Sequence, residues 1–332
     1  MKPQEYNIDR LVGPTHNFGG LSADNVASTD NKDTPSNPKQ AALEGLDKMY
    51  FLHQLGIPQI VLPPLVRPNF DLIKDLGIKG SLRNKLKNIW NQSPHLAEAC
   101  FSSSGMWTAN AGIISNSKDT EDSKIHFTPA NLTSNLHRSI EAKENHNIFK
   151  DLFPNKKHFN IHPPLPSSLL DEGAANHCRV SPDTESHGIN IFVYGHKNAD
   201  SVKLGRQSLE AFQSIARHHQ LKPEHTLYIR QNPEVIQQGA FHNDVVATSH
   251  LNYFLYHEHS YTDSSIVEND LRIKFEAMFH SPLRTECVSE KEIPLALAIK
   301  TYLFNSQIVS SKGEMVLIAP QQCQQSKSVS IY

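Results

Sequence analysis

Residues 207–256 read QSLEAFQSIARHHQLKPEHTLYIRQNPEVIQQGAFHNDVVATSHLNYFLY. Within 207–219, Leu209, Phe212, Ile215 and Ala216 recur at three- and four-residue spacing, which lays them along one face of a helix. Residues 226–230 (TLYIR) are rich in branched and aromatic side chains and predict a strand. Residues 245–249 and 253–256 predict the arms of a hairpin that turns at His250-Leu251-Asn252. Helix, strand and hairpin in close succession describe an α/β unit with strands inside and helices outside.

The same grammar lies on either side. Asn37-Pro38 opens a helix, since Asn37 can cap the free N–H groups and Pro38 suits the first helical position. Ala42, Leu43, Leu46, Met49 and Tyr50 predict its buried face, and Gly56 its left-handed end. Residues 59–62 (QIVL) read as a buried strand that stops at Pro63-Pro64. Farther on, 290–300 predicts a helix limited by Pro294, and 301–305 and 307–310 predict strands. Ser311-Lys312-Gly313 then turns into a further strand over 314–318 (EMVLI). The polar stretch 22–37 (SADNVASTDNKDTPSN) reads as a long ordered loop of the kind that often serves function.

Composition bounds the function. The 332 residues carry 32 basic and 34 acidic side chains, a net charge of −2, which argues against nucleic acid as a partner. No stretch approaches the roughly 18–20 apolar residues of a membrane helix, and Met1–Tyr6 has no apolar run, so neither a membrane span nor a signal peptide is expected. The four cysteines, at 100, 178, 287 and 323, form no CxxC pair, which fits a reducing compartment and predicts a cytoplasmic protein. The 19 histidines call for a test of metal binding. There is no HExxH, and His158 and His162, though four apart, run into Pro163-Pro164, so a solvated loop is expected there.

Five polar segments exceed what local structure needs. Gly19-Gly20-Leu21-Ser22 suits either a turn or a backbone nest for an anion. Trp107–Ala111 (WTANA) reads as a helix start with one amide, Asn110. Residues 131–138 (NLTSNLHR) end in His137-Arg138, which reads as a solvated helix end or, since Arg presents a rigid fork, as a carboxylate clamp. Residues 169–179 (LLDEGAANHCR) pack Asp171 and Glu172 against small residues; a helix start and a charged site both fit. His242-Asn243-Asp244 places an imidazole and a carboxylate two apart at the mouth of a strand, where they project to one side.

These segments resemble N-succinylarginine dihydrolase. The likeness is carried by Leu11–His16 (LVGPTH), Gly20-Leu21-Ser22, Ser36-Asn37-Pro38, 171–177 (DEGAANH), 241–244 (FHND) and 301–307 (TYLFNSQ), in one order through about residue 323. It implies a single catalytic domain over 1–323 followed by a divergent polar tail over 324–332. The implied fold is α/β, a pentein-type pseudo-fivefold propeller that is incomplete at its C-terminus. The implied reaction hydrolyses N2-succinylarginine to N2-succinylornithine, ammonia and carbon dioxide in arginine catabolism, in a cytoplasmic homodimer without metal or organic cofactor.

By the same resemblance Glu172 and His242 are catalytic. The loop Gly19, Gly20, Leu21, Ser22, Ala23, Asp24, Asn25, Val26, Ala27 and Ser28 would bind substrate, together with Asn110, His137, Arg138, Arg206 and Asp244. The chemistry suits these types: a planar cation calls for carboxylates, and the acidic tail of the substrate calls for arginines. The resemblance also implies a nucleophilic cysteine in a Gly-Pro-Ala-Cys segment, which these residues lack. Cys323 resembles a different cysteine of the family, and Cys178 reads as a small buried residue. A shortened chain is therefore expected to expose a sheet edge, and to be poorly soluble, inactive, or reduced to binding succinylarginine. A metal hydrolase built on His242, Asp244 and Glu172 is the remaining alternative.

Overall fold

A computed structural model describes residues 5–18, 20–22, 28–29, 31–102, 104–202 and 204–332. The strands are β1 (Asn7–Arg10), β2 (Gln59–Leu62), β3 (Gly112–Ser115), β4 (Ile125–Pro129), β5 (Phe159–Ile161), β6 (His177–Val180) and β7 (Ile189–Tyr194). They continue with β8 (Thr226–Arg230), β9 (Ala247–His250), β10 (Tyr253–His257), β11 (Arg284–Val288), β12 (Gln307–Ser311) and β13 (Glu314–Ile318). The helices begin with α1 (Pro38–Gln54), α2 (Phe70–Asp75), α3 (Leu82–Gln92), α4 (Pro94–Cys100), α5 (Leu136–Ser139) and α6 (Glu141–Leu152). After them come α7 (Leu209–His218), α8 (Pro233–Gln237), α9 (Ser264–Phe279), α10 (Leu295–Thr301) and α11 (Lys327–Ile331).

Among the described residues the strands form five separate small sheets. Three of these share one plan: an antiparallel hairpin (β3–β4, β6–β7, β9–β10), then a helical crossover to a third strand lying parallel to the second (β5, β8, β11). The other two are parts of that plan. β1 and β2 are parallel and joined through α1, whereas β12 and β13 are an antiparallel hairpin. These two lie together although they come from opposite ends of the chain. Gln307 Nε2 donates to Asn7 Oδ1 (3.0 Å), Ser311 Oγ donates to the Leu55 carbonyl (2.8 Å), and Val309 packs with Leu52 and Ile57.

Local rules account for much of this. Asn37 accepts from the Gln40 N–H and caps α1, Ser208 caps α7, and Asp263 caps α9. Gly56 takes φ 90° beyond α1, and Lys312 and Gly313 take φ 51° and 86° in the β12–β13 turn. Phe212, Ile215 and Ala216 of α7 bury against Phe192 and Tyr194 of β7, as their spacing predicts.

Several expectations need correction. The apolar face read for α1 is mostly uncovered: Met49 and Leu52 are buried, but Leu43, Leu46 and Tyr50 are exposed. Residues 301–305 are the end of α10 and a 3-10 turn, not a strand; Tyr302 adopts φ 55°, which ends any extended run. The helix expected over 290–300 starts only at Leu295, because Pro294 holds the position before it in an extended conformation. Residues 107–111 form a 3-10 turn over Thr108–Asn110 and no longer helix. His162 does not lie in a solvated loop: its Nε2 bonds His126 Nδ1 (2.9 Å), and its ring stacks on His218 and His219. Beyond Cys323, α11 places Val329 in a cluster with Leu255, Val288 and Phe304.

Candidate active site

The 3-10 turns Thr108–Asn110, Gly173–Asn176, Asn243–Val245 and Leu303–Asn305 each stand immediately before the first strand of a sheet, β3, β6, β9 and β12. The turns pack against one another in that order. They bring together Asn110, Glu172, His242, Asp244 and Asn305 from widely separated parts of the chain. Gly173 shows how tight the approach is. Its φ is 77°, and a Cβ there would lie 3.0 Å from the Ala109 carbonyl oxygen and 3.2 Å from the Asn110 carbonyl carbon. Glycine meets both demands at this position.

Glu172 is the centre of the arrangement. It is 1% exposed, and its carboxylate accepts from Ser134 Oγ and from Arg138 Nη1 and meets His242 Nε2 at 3.1 Å. Burial alone would raise this carboxyl, but the Arg138 guanidinium, His242 and Arg206 together hold it down at about 2. It is therefore a carboxylate at any pH near neutrality. Its own backbone N–H donates to Gln207 Oε1 (2.8 Å), which fixes the turn.

Asp244 has the opposite balance. Burial pushes it up, and His242, an Asn305 hydrogen bond and Arg138 only partly offset that. The Asp244 Oδ1 atom has no hydrogen-bond partner among the described residues. Asp171 is 1% exposed and lies beside Glu172; burial pushes it up to about 7, against hydrogen bonds from the Gly173 N–H and Gln207.

The two arginines come from equivalent places. Arg138 lies on α5, after β4, and Arg206 lies after β7; each precedes the crossover helix of its unit. Both are buried. The Arg206 guanidinium stacks 3.9 Å over the Phe241 ring, whose edge packs on His242. His137 and Arg138 are therefore not a solvated helix end, and Asp171-Glu172 is not the start of an α-helix. His242 and Asp244 do not sit on a strand: His242 is extended and Asp244 lies in the turn, and β9 starts at Ala247.

Arg138, His242 and Arg206 thus act on Glu172, and His242 and Arg138 act on Asp244, which joins the five side chains in one electrostatic cluster. Of the loop, Gly20, Leu21, Ser22 and Ser28 are described. Gly19 and Ala23 to Ala27 lie outside the described residues. The Gly20 N–H donates to the Ser28 carbonyl and the Ser22 N–H to Ser28 Oγ. Gly20 lines a cleft of about 420 Å³ with Asn17, Lys32 and Trp90, which Glu172 does not line. A second cleft, of about 410 Å³, opens beside Asp244 and is lined by Ala174, His177, Cys178, Asn243 and His250.

Three partners were not read from the sequence: Ser134 on Glu172, Gln207 on the Glu172 backbone, and Asn305 on Asp244. Each lies inside or next to a segment singled out above, so position was a usable signal where residue type was not. The cysteines do not sit as thiolates against Glu172. Cys178 accepts from Asn243 Nδ2 (3.3 Å) and burial pushes it up to about 11, and Cys323 donates to the Thr301 carbonyl (3.4 Å). Among the described residues no group of three His, Cys, Asp or Glu is arranged to hold a metal ion. No described helix is long and apolar enough to cross a membrane.

Comparison with known proteins adds the following. The family model described as succinylarginine dihydrolase matches residues 2–332. N-succinylarginine dihydrolase of Pseudoalteromonas atlantica is 44% identical over 341 residues, covering 100% of this chain and 76% of the relative. The Legionella pneumophila (strain Paris) protein of that name is 44% identical over 336 residues, covering 98% of this chain and 74% of its own. Among solved structures, the N-terminal domain of ArgZ, an arginine dihydrolase from the ornithine–ammonia cycle in cyanobacteria, superimposes with a TM-score of 0.54 at 14% identity, covering 96% of this chain and 86% of that one. DDAH from Pseudomonas aeruginosa does so with a TM-score of 0.51 at 8% identity, covering 99% of this chain and 89% of the other. These likenesses show a mixed α/β fold shared with those structures. The expectation of a truncated form that binds without turnover is not supported: the family match runs through residue 332, and the named dihydrolases match this chain over 98–100% of its length.

Proposed function

This chain belongs to the succinylarginine dihydrolase family, and from that premise we propose how its buried cluster carries out the reaction. The enzyme hydrolyses the guanidinium of N2-succinylarginine in arginine catabolism. One substrate and two waters give N2-succinylornithine, two ammonia and carbon dioxide. The observation that carries the assignment of roles is the Glu172 carboxylate, held ionised between Arg138 and His242 with Arg206 and Asp244 in the same cluster.

The substrate's guanidinium is planar and cationic, and two carboxyl groups, the buried Glu172 and the half-buried Asp244, can pair with its N–H edges. His242, oriented by Glu172 through its Nε2 contact, accepts the proton of the incoming water and delivers one to the departing nitrogen. Asn305 and Ser134 keep the two carboxyl groups in place. At the other end of the substrate, Arg206 and Arg138 meet the α-carboxylate and the succinyl carboxylate, with His137, Asn110 and the loop from Gly19 to Ser28 completing that end. The reading includes one catalytic domain over 1–323 with 324–332 as an appended tail. The five small sheets would stand around a pseudo-fivefold axis, and the enzyme would be a cytoplasmic homodimer, which sedimentation would check.

The test is direct. Purified protein is supplied with succinylarginine, and ammonia and succinylornithine are followed together. Two ammonia should form per succinylornithine, and His242→Asn should abolish both products while leaving the circular dichroism spectrum unchanged. Turnover by His242→Asn equal to that of the parent removes His242 from the mechanism. Activity that disappears on treatment with a chelator and returns with a divalent metal would point instead to the metal hydrolase.

A further inference from the structure

Arg138 is in an unexpected place for a residue that binds the acidic end of a ligand. Its Nη1 donates to Glu172, the carboxylate assigned above to the ligand's guanidinium, and its charge also acts on Asp244, the other such carboxylate. Arg138 is 5% exposed and Glu172 1% exposed, so water does not mediate between them. Arg138 Nη2 makes no hydrogen bond among the described residues. The protein's own guanidinium therefore stands among the groups that recognise a guanidinium. A second one cannot join it there without placing two cations on one buried carboxylate.

A second carboxylate feels the charge of Arg138. Glu141 follows Arg138 by three residues, at the first position of α6, and is 1% exposed. Its Oε1 forms an ion pair with Arg67 Nη2 at 3.6 Å, and among the described residues neither atom has a hydrogen bond. Arg67 is instead committed to the Ser102 carbonyl (2.7 Å) and Glu144 (3.0 Å), and Arg10 to the Gly105 carbonyl and Asn145. Arg138 already acts on Glu141 electrostatically. Burial pushes Glu141 up to about 7, an effect that Arg67, Arg138 and Arg10 offset only in part.

Resting on the reading of Glu172 as the guanidinium carboxylate, we propose that Arg138 fills the guanidinium subsite of the ligand-free enzyme as an internal stand-in for the substrate, and that Glu141 is the seat that receives it when a ligand's guanidinium enters. Glu141 is then a positioning residue, acting through Arg138 without touching the ligand. The exchange also favours a bipolar substrate. A ligand that brings both a guanidinium and carboxylates replaces each charge that Arg138 and Glu172 give up, whereas a simple guanidine leaves Arg138 dependent on Glu141 alone.

The probe is methylguanidine, which has no acidic end, and its binding is read by calorimetry, independently of turnover. Arg138→Met should bind methylguanidine about tenfold more tightly than the parent, because the subsite is vacated. A folding defect does not produce a gain of this kind. Glu141→Gln should bind it about tenfold more weakly, and Glu141→Asp, which keeps the charge, should recover most of the loss. Binding by Arg138→Met that is unchanged or weaker refutes the occupied subsite. Equal binding by Glu141→Gln and the parent removes Glu141 as the seat. Succinylarginine turnover by the parent is measured in parallel: if it is absent while Arg138→Met still gains affinity, the hydrolase reading fails and the exchange stands.

Discussion

Replacing Glu172 by Gln tests the centre of the site, and its size follows from the structure. The side chain is 1% exposed and is shared among Ser134, Arg138 and His242. The carboxyl falls from an ordinary 4.5 to about 2, a preference for the charged form worth roughly 3 kcal/mol. Removing one partner of a buried ion pair costs about 3–5 kcal/mol, because the other charge stays buried and uncompensated. The two estimates agree, so Glu172→Gln should lose about 3 kcal/mol in urea denaturation. Because the folded-state pKa is depressed, this contribution is complete above about pH 4.5 and is lost as pH falls toward 2. The gap between parent and variant should therefore close in acid. Arg138→Met should cost a comparable amount. The double variant should cost much less than the sum, since neither charge is then left alone, with a coupling on the order of 2–3 kcal/mol. Strict additivity, or a Glu172→Gln protein as stable as the parent at pH 7, would refute the reasoning.

Three further outcomes are expected. Asn305→Ala removes a donor to Asp244, so KM for succinylarginine should rise about tenfold with kcat nearly unchanged; an equal fall in kcat would assign Asn305 to the transition state instead. Gly112→Ala should cost about 2 kcal/mol or more in thermal or urea denaturation, because its Cβ would stand 2.5 Å from the Thr128 carbonyl oxygen across the β3–β4 pair, and a neutral effect would mean that this strand pair yields freely. Burial, with the neighbouring His126 and His218, lowers His162 to about 4, and His219 is held well below its ordinary 6.5. The folded state then resists their protonation, and stability should fall as pH drops from 6.5 toward 4. Asp171 and Glu141, raised to about 7, push the other way over that range, so the comparison to make is the pH slope of the thermal midpoint in His162→Asn, which should be shallower than in the parent.

What the sequence discloses here depends on whether a feature is local. The α1 cap at Asn37-Pro38, the left-handed Gly56, the β8 strand and the Lys312-Gly313 turn are each set by a few adjacent residues, and each is found where it was read. The periodicity of α1 is also genuine, but periodicity says which face is apolar, not what covers it, and Leu43, Leu46 and Tyr50 are uncovered. The extended reading of 301–305 failed because branched and aromatic composition does not reveal that Tyr302 turns left-handed. In the site, the charged residues were legible mainly through the family resemblance; pattern alone left Arg138 open between a solvated helix end and a carboxylate clamp, and did not mark Arg206 at all. Ser134, Gln207 and Asn305 are neutral polar residues in turns, where a solvated side chain and a carboxylate's partner look alike. Glu141 was hidden for another reason: an acidic residue in the first turn of a helix is ordinary, and only its burial makes it unusual.

The repeated unit explains how five side chains so far apart in sequence can meet. Four of the five first strands are entered through a 3-10 turn, and these turns pack against one another. A residue mounted at an entry turn is therefore carried to the common centre whichever unit it belongs to. Glu172 and His242 hold the same place, directly before their turns, and Asn110 and Asn305 both end theirs. Arg138 and Arg206 repeat a second place, after the second strand and before the crossover helix. The site is built from two recurrent mounting points, one used for acids, imidazole and amides and the other for guanidinium groups. Such a frame sets the separation of opposite charges by backbone geometry rather than by side-chain flexibility. Arg138 can then leave Glu172 without the site collapsing, because the turn that carries Glu172 is pinned independently by Gln207, and the helix that follows Arg138 opens with Glu141.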